Sequence, residues 1–468
     1  MDSGKLRVLV VGGGVAALEA VLGLRALAGH LTSVTLMAPE AEVIYRPVTV
    51  AEAFGRAEAR SFRIAEILAD QRAAHVQDSL ERVDTESRDV VTGSGARIPY
   101  DVLLVAAGAR ARDPLPGALT FGGRADVAEF GELLDDLVSG TALAVAFALP
   151  REQVWALPLY ELALMTAAHL REHASAARVL VVTPEEEPLE LFGPEAATVL
   201  TPMLAGLGVT LHCSSMPAQV NARELVLVGG GGVLADRVVT LPLAEGPCLS
   251  GLPADKHGFI PVDAHGMVDG LSDVYAAGDI TAFPLKQGGL AAQQADAAAE
   301  AIAAIAGAAI TPRPFRPVLR GLLMTAGAPV YLRCEPDRVS CQGSMAIDAP
   351  HRRHGEEAMS TASNEPLWWP PAKIAGRYLA PYLATASPIP PASEPLSDRV
   401  AAPGSAVADV DRRDALELAL VLADGDAGWG DYRSALHALD AAEALEGALP
   451  PEYEAKRRIW TAEAARSR

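Results

Sequence analysis

Apolar positions along this chain form short continuous runs that alternate with longer runs of helical spacing. The run Leu6–Val11 is typical of a strand buried on both faces, and a helix-forming run follows over Gly14–Ala28. A second apolar run over Ser33–Met37 completes a predicted βαβ unit. Because the same alternation recurs later in the chain, the pattern predicts an α/β protein with parallel sheets.

The turn between the first strand and the first helix has the spacing Gly12-x-Gly14-x-x-Ala17. Gly12 permits a tight turn, Gly14 lets the backbone approach a phosphate, and Ala17 lets the helix pack closely on the strand. Since N–H groups at a helix N-terminus bind anions, this turn predicts a site for a dinucleotide pyrophosphate. A secretory signal is the alternative, but glycines interrupt the apolar run, and Glu19 and Arg25 lie in its continuation.

The ribose of a bound nucleotide usually meets a carboxylate at the end of the second strand of such a unit. Ala38 occupies that position here, so we assign the role to Glu40, two residues later. The alternative is that Glu40 is an exposed loop residue. The loop continues through Tyr45, and we expect Arg46 and Pro47 to lie over the nucleotide.

Two later strands also end in small residues. The buried run Val102–Ala106 is followed by Ala107 and Gly108. A shorter run ends in Gly278 and Asp279, and a carboxylate directly after a strand-end glycine suits hydrogen bonding to a polyol. These strand ends add candidate nucleotide contacts to those of the glycine turn.

A second alternating segment predicts another α/β domain. Its elements are strand Ala142–Ala148, helix Leu157–His169, strand Arg178–Thr183, helix Pro194–Leu207 and strand Val209–His212. Bulky residues over Val154–Glu161 replace the glycine fingerprint and would obstruct a pyrophosphate, which argues against NAD(P)H binding. Gly229–Gly232 lies between two strands, the second over Val233–Val239, and therefore predicts a β-hairpin turn and not a phosphate site.

Composition narrows the classes of function. A chain of 468 residues is too long for one ordinary core, so two or three domains are expected. Its net charge of −20 argues against a nucleic-acid partner, and it contains no run of about 18 apolar residues that would predict a membrane span. Four scattered cysteines, Cys213, Cys248, Cys334 and Cys341, predict reduced thiols and a cytoplasmic location.

The C-terminal third is more polar. We predict a mobile loop over Glu335–Pro366, and the arginines between His351 and His354 argue against a metal site there. Ser387–Val407 is rich in Pro, Ser and Ala, as linkers are. The tail Asp411–Arg468 resembles a tetratricopeptide helix pair, and one such repeat needs the main body, a second subunit or a partner to bury its apolar face.

The fingerprint at Gly12 and the two later strand ends together resemble the two-dinucleotide-binding-domain flavoproteins, the superfamily of pyridine-nucleotide disulfide oxidoreductases. The resemblance covers about Lys5–Leu383. It implies an α/β fold of two Rossmann-like dinucleotide-binding domains, the second inserted in the first, plus a C-terminal α+β segment and a helical tail. It also implies bound FAD, with Asp279 accepting a hydrogen bond from a ribityl hydroxyl.

The implied domain division has six parts. The FAD-binding domain comprises residues 1–125 and 255–316, the inserted NAD(P)-type domain 126–254, the flavin-covering and acceptor segment 317–386, the linker 387–410, and the tetratricopeptide-like tail 411–468.

The Ala-rich helix that begins near Gly288 has an implied role as well. By the resemblance, the N–H groups of Gly288, Gly289, Leu290 and Ala291 point at the pyrimidine edge of the flavin. Reduced flavin is anionic there, so a helix N-terminus stabilises it. Lys286 adds positive charge, and the alternative is that this lysine is solvated in its loop.

Within the superfamily, the chain most resembles sulfide:quinone oxidoreductases and type II NADH dehydrogenases. The cues are the loop at Tyr45, the loop Lys286–Gly289, and the segment that runs from Trp368 and Trp369 to Lys373. In those families the last segment covers the flavin and helps form a quinone pocket, so we assign Lys373 as catalytic. The alternative is that both tryptophans are core residues.

Glu161 is the second catalytic candidate. In type II dehydrogenases a glutamate in the matching Glu-Leu-Ala sequence lies near the flavin and is a candidate proton relay. An acid buried on an apolar helix has a raised pKa, which suits that role. The alternative is a capping or surface glutamate.

Cysteines set this chain apart from its superfamily. None precedes Cys213 and no Cys-x4-Cys follows the first βαβ unit, which excludes a glutathione-reductase type of dithiol mechanism. The cysteine pattern typical of sulfide:quinone oxidoreductases is not evident. Cys334 and Cys341 lie close enough in sequence to pair, but we expect structural, inert thiols.

Three functions follow from these observations. The first is an FAD-dependent oxidoreductase of sulfide:quinone oxidoreductase type, with a small-molecule donor and a quinone or other acceptor. The second is an NAD(P)H-dependent flavin dehydrogenase or reductase, and the third is a flavin-bearing interaction module without turnover. A homodimer or protein partner through residues 411–468 and peripheral contact with the inner face of a membrane are further expectations.

Overall fold

The structure is a computed structural model that describes residues 4–150, 154–336, 360–368, 370–386, 432, 436, 439–440, 443 and 448–466. The chain divides into two compact units. The larger comprises Met1–Leu367 and Lys373–Leu379, and the smaller comprises Trp368–Ala372 and Ala380–Arg468.

The helices are α1 (Val15–Ala28), α2 (Thr49–Glu52), α3 (Ile64–Asp70), α4 (Val127–Ser139), α5 (Leu157–Glu172), α6 (Pro194–Gly206), α7 (Gly288–Ile305), α8 (Leu379–Thr385) and α9 (Pro451–Arg466). The strands are β1 (Leu6–Val11), β2 (Thr32–Met37), β3 (Glu42–Ile44), β4 (Ser61–Arg63), β5 (Ala74–Val76), β6 (Leu80–Asp84), β7 (Asp89–Thr92), β8 (Arg97–Pro99), β9 (Val102–Val105), β10 (Arg110–Arg112), β11 (Leu119–Thr120), β12 (Ala144–Ala148), β13 (Arg178–Val182), β14 (Thr210–His212), β15 (Pro217–Asn221), β16 (Glu224–Leu227), β17 (Gly232–Leu234), β18 (Arg237–Thr240), β19 (Leu243–Glu245), β20 (Val274–Ala276), β21 (Leu319–Leu323), β22 (Val330–Cys334) and β23 (Ser360–Ser363).

Two parallel five-stranded sheets organise the larger unit. The first has the strand order β20-β9-β1-β2-β5, and the second has the order β11-β18-β12-β13-β14. In the first sheet, Val8 lies opposite Val34 on β2 and Val102 on β9. The remaining strands form smaller antiparallel sheets of two or three strands. The predicted α/β class with two Rossmann-like cores is confirmed.

The run Val233–Val239, predicted as one strand, is divided between two sheets. Its first part belongs to β17, which pairs antiparallel with β16 across the predicted hairpin, and its second part belongs to β18 in the second parallel sheet. Asp236 lies at the junction, where its carboxylate accepts a hydrogen bond from the Leu143 backbone at 2.8 Å. This contact helps to explain why the chain leaves the hairpin there.

Helix α1 packs between the first sheet and α7, and small residues allow the close approach. A Cβ added to Gly23 of α1 would lie 3.3 Å from the Cβ of Ala299 on α7. Because most residues of both helices are buried, the Ala-rich composition of α7 reflects packing as well as helix propensity.

The smaller unit contains helix α9. Arg457 of this helix forms ion pairs with Glu443 and Asp440, and Trp460 is buried. The first helix of the predicted tetratricopeptide-like pair lies mostly outside the described residues.

A buried pair of carboxyl groups lies between α1 and α7 of the larger unit. Glu19 accepts hydrogen bonds from the backbone N–H groups of Tyr378 at 2.7 Å and Leu379 at 2.8 Å, and it also hydrogen-bonds Asp296. Burial, together with the negative charge of Glu19, raises the pKa of Asp296 well above its ordinary value. Asp296 is therefore the carboxyl of the pair that keeps its proton to higher pH and donates to Glu19, which in turn fixes the end of the stretch Lys373–Leu379.

We expect the substitution Asp296→Asn to raise the melting temperature at neutral and alkaline pH. Because the pKa of Asp296 is higher in the folded state, its contribution to the free energy of unfolding falls by about 1.4 kcal/mol per pH unit as the pH rises from the unfolded pKa of about 3.9 towards the folded-state pKa. An amide does not ionise and still donates to Glu19. Thermal unfolding of the holoenzyme from pH 4 to pH 8 should show a difference near zero at pH 4 that grows to several degrees.

The control for this experiment is Asp269→Asn, at an exposed position whose side chain forms no hydrogen bond among the described residues. It should leave the pH dependence of the melting temperature unchanged. A gain from Asp296→Asn that is the same at pH 4 and pH 8 would contradict a protonated Asp296.

Candidate functional site

The glycine turn after β1 passes directly over the end of β9. Gly12 has φ +128°, and a Cβ at this position would lie 2.2 Å from the carbonyl oxygen of Ala106. Only glycine fits this backbone conformation and this close approach. Gly12 is thus required by the fold of the turn itself.

The start of α1 provides space for a ligand. Gly14 is the N-cap residue of α1, and because glycine has no side chain it leaves the first N–H groups of the helix uncapped. A Cβ at this position would meet nothing within 4 Å. Ala17 is fully buried. The uncapped N–H groups of the first turn therefore face open space, which fits the pyrophosphate of FAD.

Glu40 lies beside this turn. It is exposed, and its Oε2 atom would be 3.3 Å from a Cβ added to Gly13. A carboxylate in this place can reach a ribose attached to a pyrophosphate at Gly14. The position agrees with the role predicted for Glu40, and that role stays a prediction.

The other predicted strand ends lie at the same edge of the first sheet. Ala107 and Gly108 follow β9. Ala107 is exposed to solvent, and a Cβ added to Gly108 would meet nothing within 4 Å. A Cβ on Gly278, which follows β20, would lie 2.9 Å from the Cβ of Ala16. This close approach brings Asp279 next to the start of α1.

The charges of Asp279 and Lys286 shift the pKa values of each other. Burial raises the pKa of Asp279, while the charge of Lys286 and the backbone N–H of Gln287 lower it. Burial lowers the pKa of Lys286 to about 8. The Lys286 ammonium donates to the carbonyl oxygens of Thr281 at 2.5 Å and Phe283 at 2.7 Å, so the loop backbone already binds it.

Helix α7 begins as predicted, and Gln287 caps it. The Gln287 side chain accepts from the N–H of Leu290 at 2.7 Å, and its backbone carbonyl accepts from Ala291 at 2.9 Å. Of the four N–H groups predicted to face the flavin, those of Gly288 and Gly289 form no hydrogen bond among the described residues, so they are the ones left for a ligand. Sequence analysis did not assign this capping role to Gln287, although its position before the helix was the available signal.

Glu161 and Lys373 form a buried ion pair. The Lys373 ammonium lies 2.6 Å from each carboxylate oxygen of Glu161, and the backbone N–H of Met324 donates to the same carboxylate at 2.7 Å. The Glu161 side chain is 0% exposed, and the Lys373 side chain is 6% exposed. Burial raises the pKa of Glu161 and lowers the pKa of Lys373, and each partner opposes the shift of the other.

The ion pair lies near the start of α7 and the loop after β3. Ile374 follows Lys373, and its side chain would be 3.1 Å from a Cβ on Gly288. The N–H of Ile374 donates to the hydroxyl of Tyr45 at 2.8 Å, and the charge of Arg46 lowers the pKa of Asp279. Arg46 thus lies close enough for its charge to act on Asp279, and its neighbour Tyr45 contacts the residue after Lys373.

The inserted domain differs from a typical Rossmann-like domain in the residues after its second strand, β13. Glu185 lies beyond β13, where a Rossmann-like domain usually presents a carboxylate to a ribose. Here it is buried, and it accepts hydrogen bonds from Tyr160 at 2.5 Å and Thr183 at 2.9 Å. Burial raises the pKa of Glu185 to about 7. Sequence analysis missed this cluster because Glu185 begins a run of acids typical of a solvated loop.

Several predicted residues cannot be placed at this site. Trp369, Cys341 and the stretch His351–His354 lie outside the described residues, and Trp368 belongs to the smaller unit. Cys334 is buried in β22. The described part of the chain holds no group of three or more metal-ligating side chains, and none of its helices is long and apolar enough to span a membrane.

Residues 6–303 match the family described as pyridine nucleotide-disulphide oxidoreductase. An NADH dehydrogenase-like protein of Mycobacterium tuberculosis is 28% identical over 298 residues, covering 59% of this chain and 73% of that protein. The biphenyl dioxygenase system ferredoxin–NAD(+) reductase component of Paraburkholderia xenovorans is 28% identical over 306 residues, covering 60% and 69%.

The sulfide:quinone oxidoreductase of Aquifex aeolicus shares the fold, with a TM-score of 0.66 and 18% identity over 77% of this chain and 87% of that chain. The family match covers the glycine turn, Asp279 and the start of α7, which confirms the prediction of FAD. The chain belongs to the pyridine nucleotide-disulphide oxidoreductase family, and it is an FAD-dependent oxidoreductase.

Proposed function

We propose that this enzyme passes two electrons from a small donor through FAD to a quinone or another small acceptor, as sulfide:quinone oxidoreductases do. The buried Glu161–Lys373 pair beside the start of α7 carries the proposal. Bound FAD would supply the two-electron chemistry. It would be held by the turn at Gly14, by Asp279, and by the free N–H groups at Gly288 and Gly289.

The ion pair suits an acceptor that takes up protons with its electrons. Reduction of a quinone to a hydroquinone consumes two electrons and two protons. The Lys373 ammonium can stabilise negative charge on an acceptor oxygen and donate one of the two protons to it, and the other proton would come with the two electrons from bound reduced FAD. Glu161 would then be left as a buried carboxylate beside a neutral amine, which favours recapture of a proton from water.

The inserted domain supports a donor other than NAD(P)H. The helix that follows its strand β12, α5, begins with Leu157 and Pro158 in place of glycines, and Leu157 is buried in the core. Glu185 is already hydrogen-bonded by Tyr160 and Thr183, so it has less capacity to bind a ribose. A Rossmann-like domain normally binds a dinucleotide with a glycine-rich turn and with a carboxylate after its second strand, and both are altered here.

Anaerobic visible spectra of the purified holoenzyme test the proposal. We expect sulfide, or another small donor, to bleach the flavin band, and a water-soluble quinone to restore it. NADH and NADPH should leave the band unchanged. Bleaching by NADH at a saturable rate would overturn this choice of donor.

The alternative is an NAD(P)H-dependent dehydrogenase or reductase. The names of the two relatives that are 28% identical favour it, since both refer to NADH or NAD(+). The same spectra decide between the two functions. In either case, Glu161→Gln is expected to slow transfer to a proton-consuming acceptor by about 10²-fold or more, which stopped-flow reoxidation would measure.

A further inference from the structure

Tyr45 contacts the backbone at the base of Lys373. The loop after β3 places its hydroxyl 2.8 Å from the backbone nitrogen of Ile374, which donates to it. These residues are 329 positions apart in sequence. One side-chain oxygen thus accepts from the backbone amide directly after Lys373.

The stretch Lys373–Leu379 is held at both ends. Tyr45 accepts from the amide of Ile374 near its start, and Glu19 accepts from the amides of Tyr378 and Leu379 at its end. Among the described residues, this stretch forms no helix or strand before Leu379. The Tyr45 hydroxyl is therefore a contact that fixes the stretch next to Lys373.

That position matters for the ion pair. The Lys373 ammonium contacts both oxygens of Glu161 at 2.6 Å, a geometry that a flexible four-carbon side chain keeps only if its backbone is fixed. Burial raises the pKa of Tyr45 to about 12, so its hydroxyl stays neutral throughout the range in which an enzyme is assayed. A neutral oxygen accepts this hydrogen bond without adding charge to the site.

We propose that Tyr45 is the positioning residue for Lys373, and that its hydroxyl holds the ammonium in contact with Glu161. This inference depends on the proposed function in one respect, namely that the Glu161–Lys373 ion pair serves the acceptor reaction. Tyr45 acts through Lys373, and the aromatic ring itself is not required for the effect.

The test compares Tyr45→Phe with the wild-type holoenzyme. This variant keeps the ring and removes the hydroxyl that accepts from the Ile374 amide. Hydrogen exchange of the peptide that covers residues 373–379 is the first readout, and we expect exchange at Ile374 to become at least tenfold faster. The second readout is the pH profile of flavin reoxidation, whose midpoint we expect to shift.

Tyr275→Phe is the matched control. Tyr275 lies on β20, is buried, and its hydroxyl forms no hydrogen bond among the described residues. It should change neither readout. If Tyr45→Phe lowers the melting temperature but leaves both the exchange at Ile374 and the pH profile unchanged, Tyr45 has only a packing role and the inference is wrong.

Glu161→Gln separates this inference from the proposed function. If Glu161→Gln leaves the pH profile of reoxidation unchanged, the ion pair does not serve the acceptor reaction, and the proposed function is wrong. Faster exchange in Tyr45→Phe would still support the positioning role in that case. If Glu161→Gln moves the profile and Tyr45→Phe does not, the positioning inference alone is overturned.

Discussion

Replacing Lys373 with methionine is expected to destabilise the folded protein by about 3–5 kcal/mol, because it leaves the buried carboxylate of Glu161 without its counter-ion. The Glu161 side chain is 0% exposed, so water cannot replace the ammonium. Only the Met324 amide would remain as a hydrogen-bond donor among the described residues. The carboxylate must then either stay charged in an apolar environment or take up a proton.

The double substitution Glu161→Gln with Lys373→Met should recover most of the lost stability. Neutral groups of similar volume often replace a buried ion pair with little change in stability. Because the protein binds a cofactor and contains two units, the melting temperature of the holoenzyme is the appropriate measure. We expect a decrease of about 10 °C for the single variant and of a few degrees for the double variant.

Lys256→Met is the control, since Lys256 is exposed and forms no ion pair among the described residues. It should leave the melting temperature within about 1 °C of wild type. A double variant that is less stable than Lys373→Met alone would show that Glu161 is not the group destabilised by loss of the lysine.

The sequence predicts the parallel cores well, since they depend on local pattern. The strand Leu6–Val11 has the predicted bounds, and α5 begins at the predicted residue. Continuous apolar runs define strands buried on both faces, and these runs are readable without knowledge of distant contacts. The family match then confirms the predicted cofactor.

The contacts of the site are not predictable in the same way. An apolar helix identifies Glu161 as unusual, but its partner is 212 residues later in the chain. Neither local propensity nor spacing connects Glu161 to Lys373, or Tyr45 to Ile374. The division of Val233–Val239 between two sheets has the same origin, because Asp236 is fixed by an amide from a distant segment.

Substitutions of the two glycines Gly12 and Gly14 are expected to separate loss of FAD binding from loss of folding stability. Gly14 has φ −90° and ψ −168°, a conformation open to β-branched residues, and a Cβ there would meet nothing within 4 Å. We therefore expect Gly14→Val to fold normally and to lose affinity for FAD by at least about 100-fold, because its side chain occupies the approach of the pyrophosphate. The ratio of flavin to protein absorbance after purification measures occupancy.

Gly12→Ala should behave differently, because its Cβ would lie 2.2 Å from the carbonyl oxygen of Ala106 at φ +128°. We expect this variant to lower the melting temperature of the FAD-free protein, which Gly14→Val should leave unchanged. Gly131→Ala, in α4 and with open space at its Cβ, is the control for both properties. Full flavin occupancy in Gly14→Val would mean that the pyrophosphate does not approach this turn, and the assignment of the whole cofactor site to the edge formed by β1, β9 and β20 would be wrong.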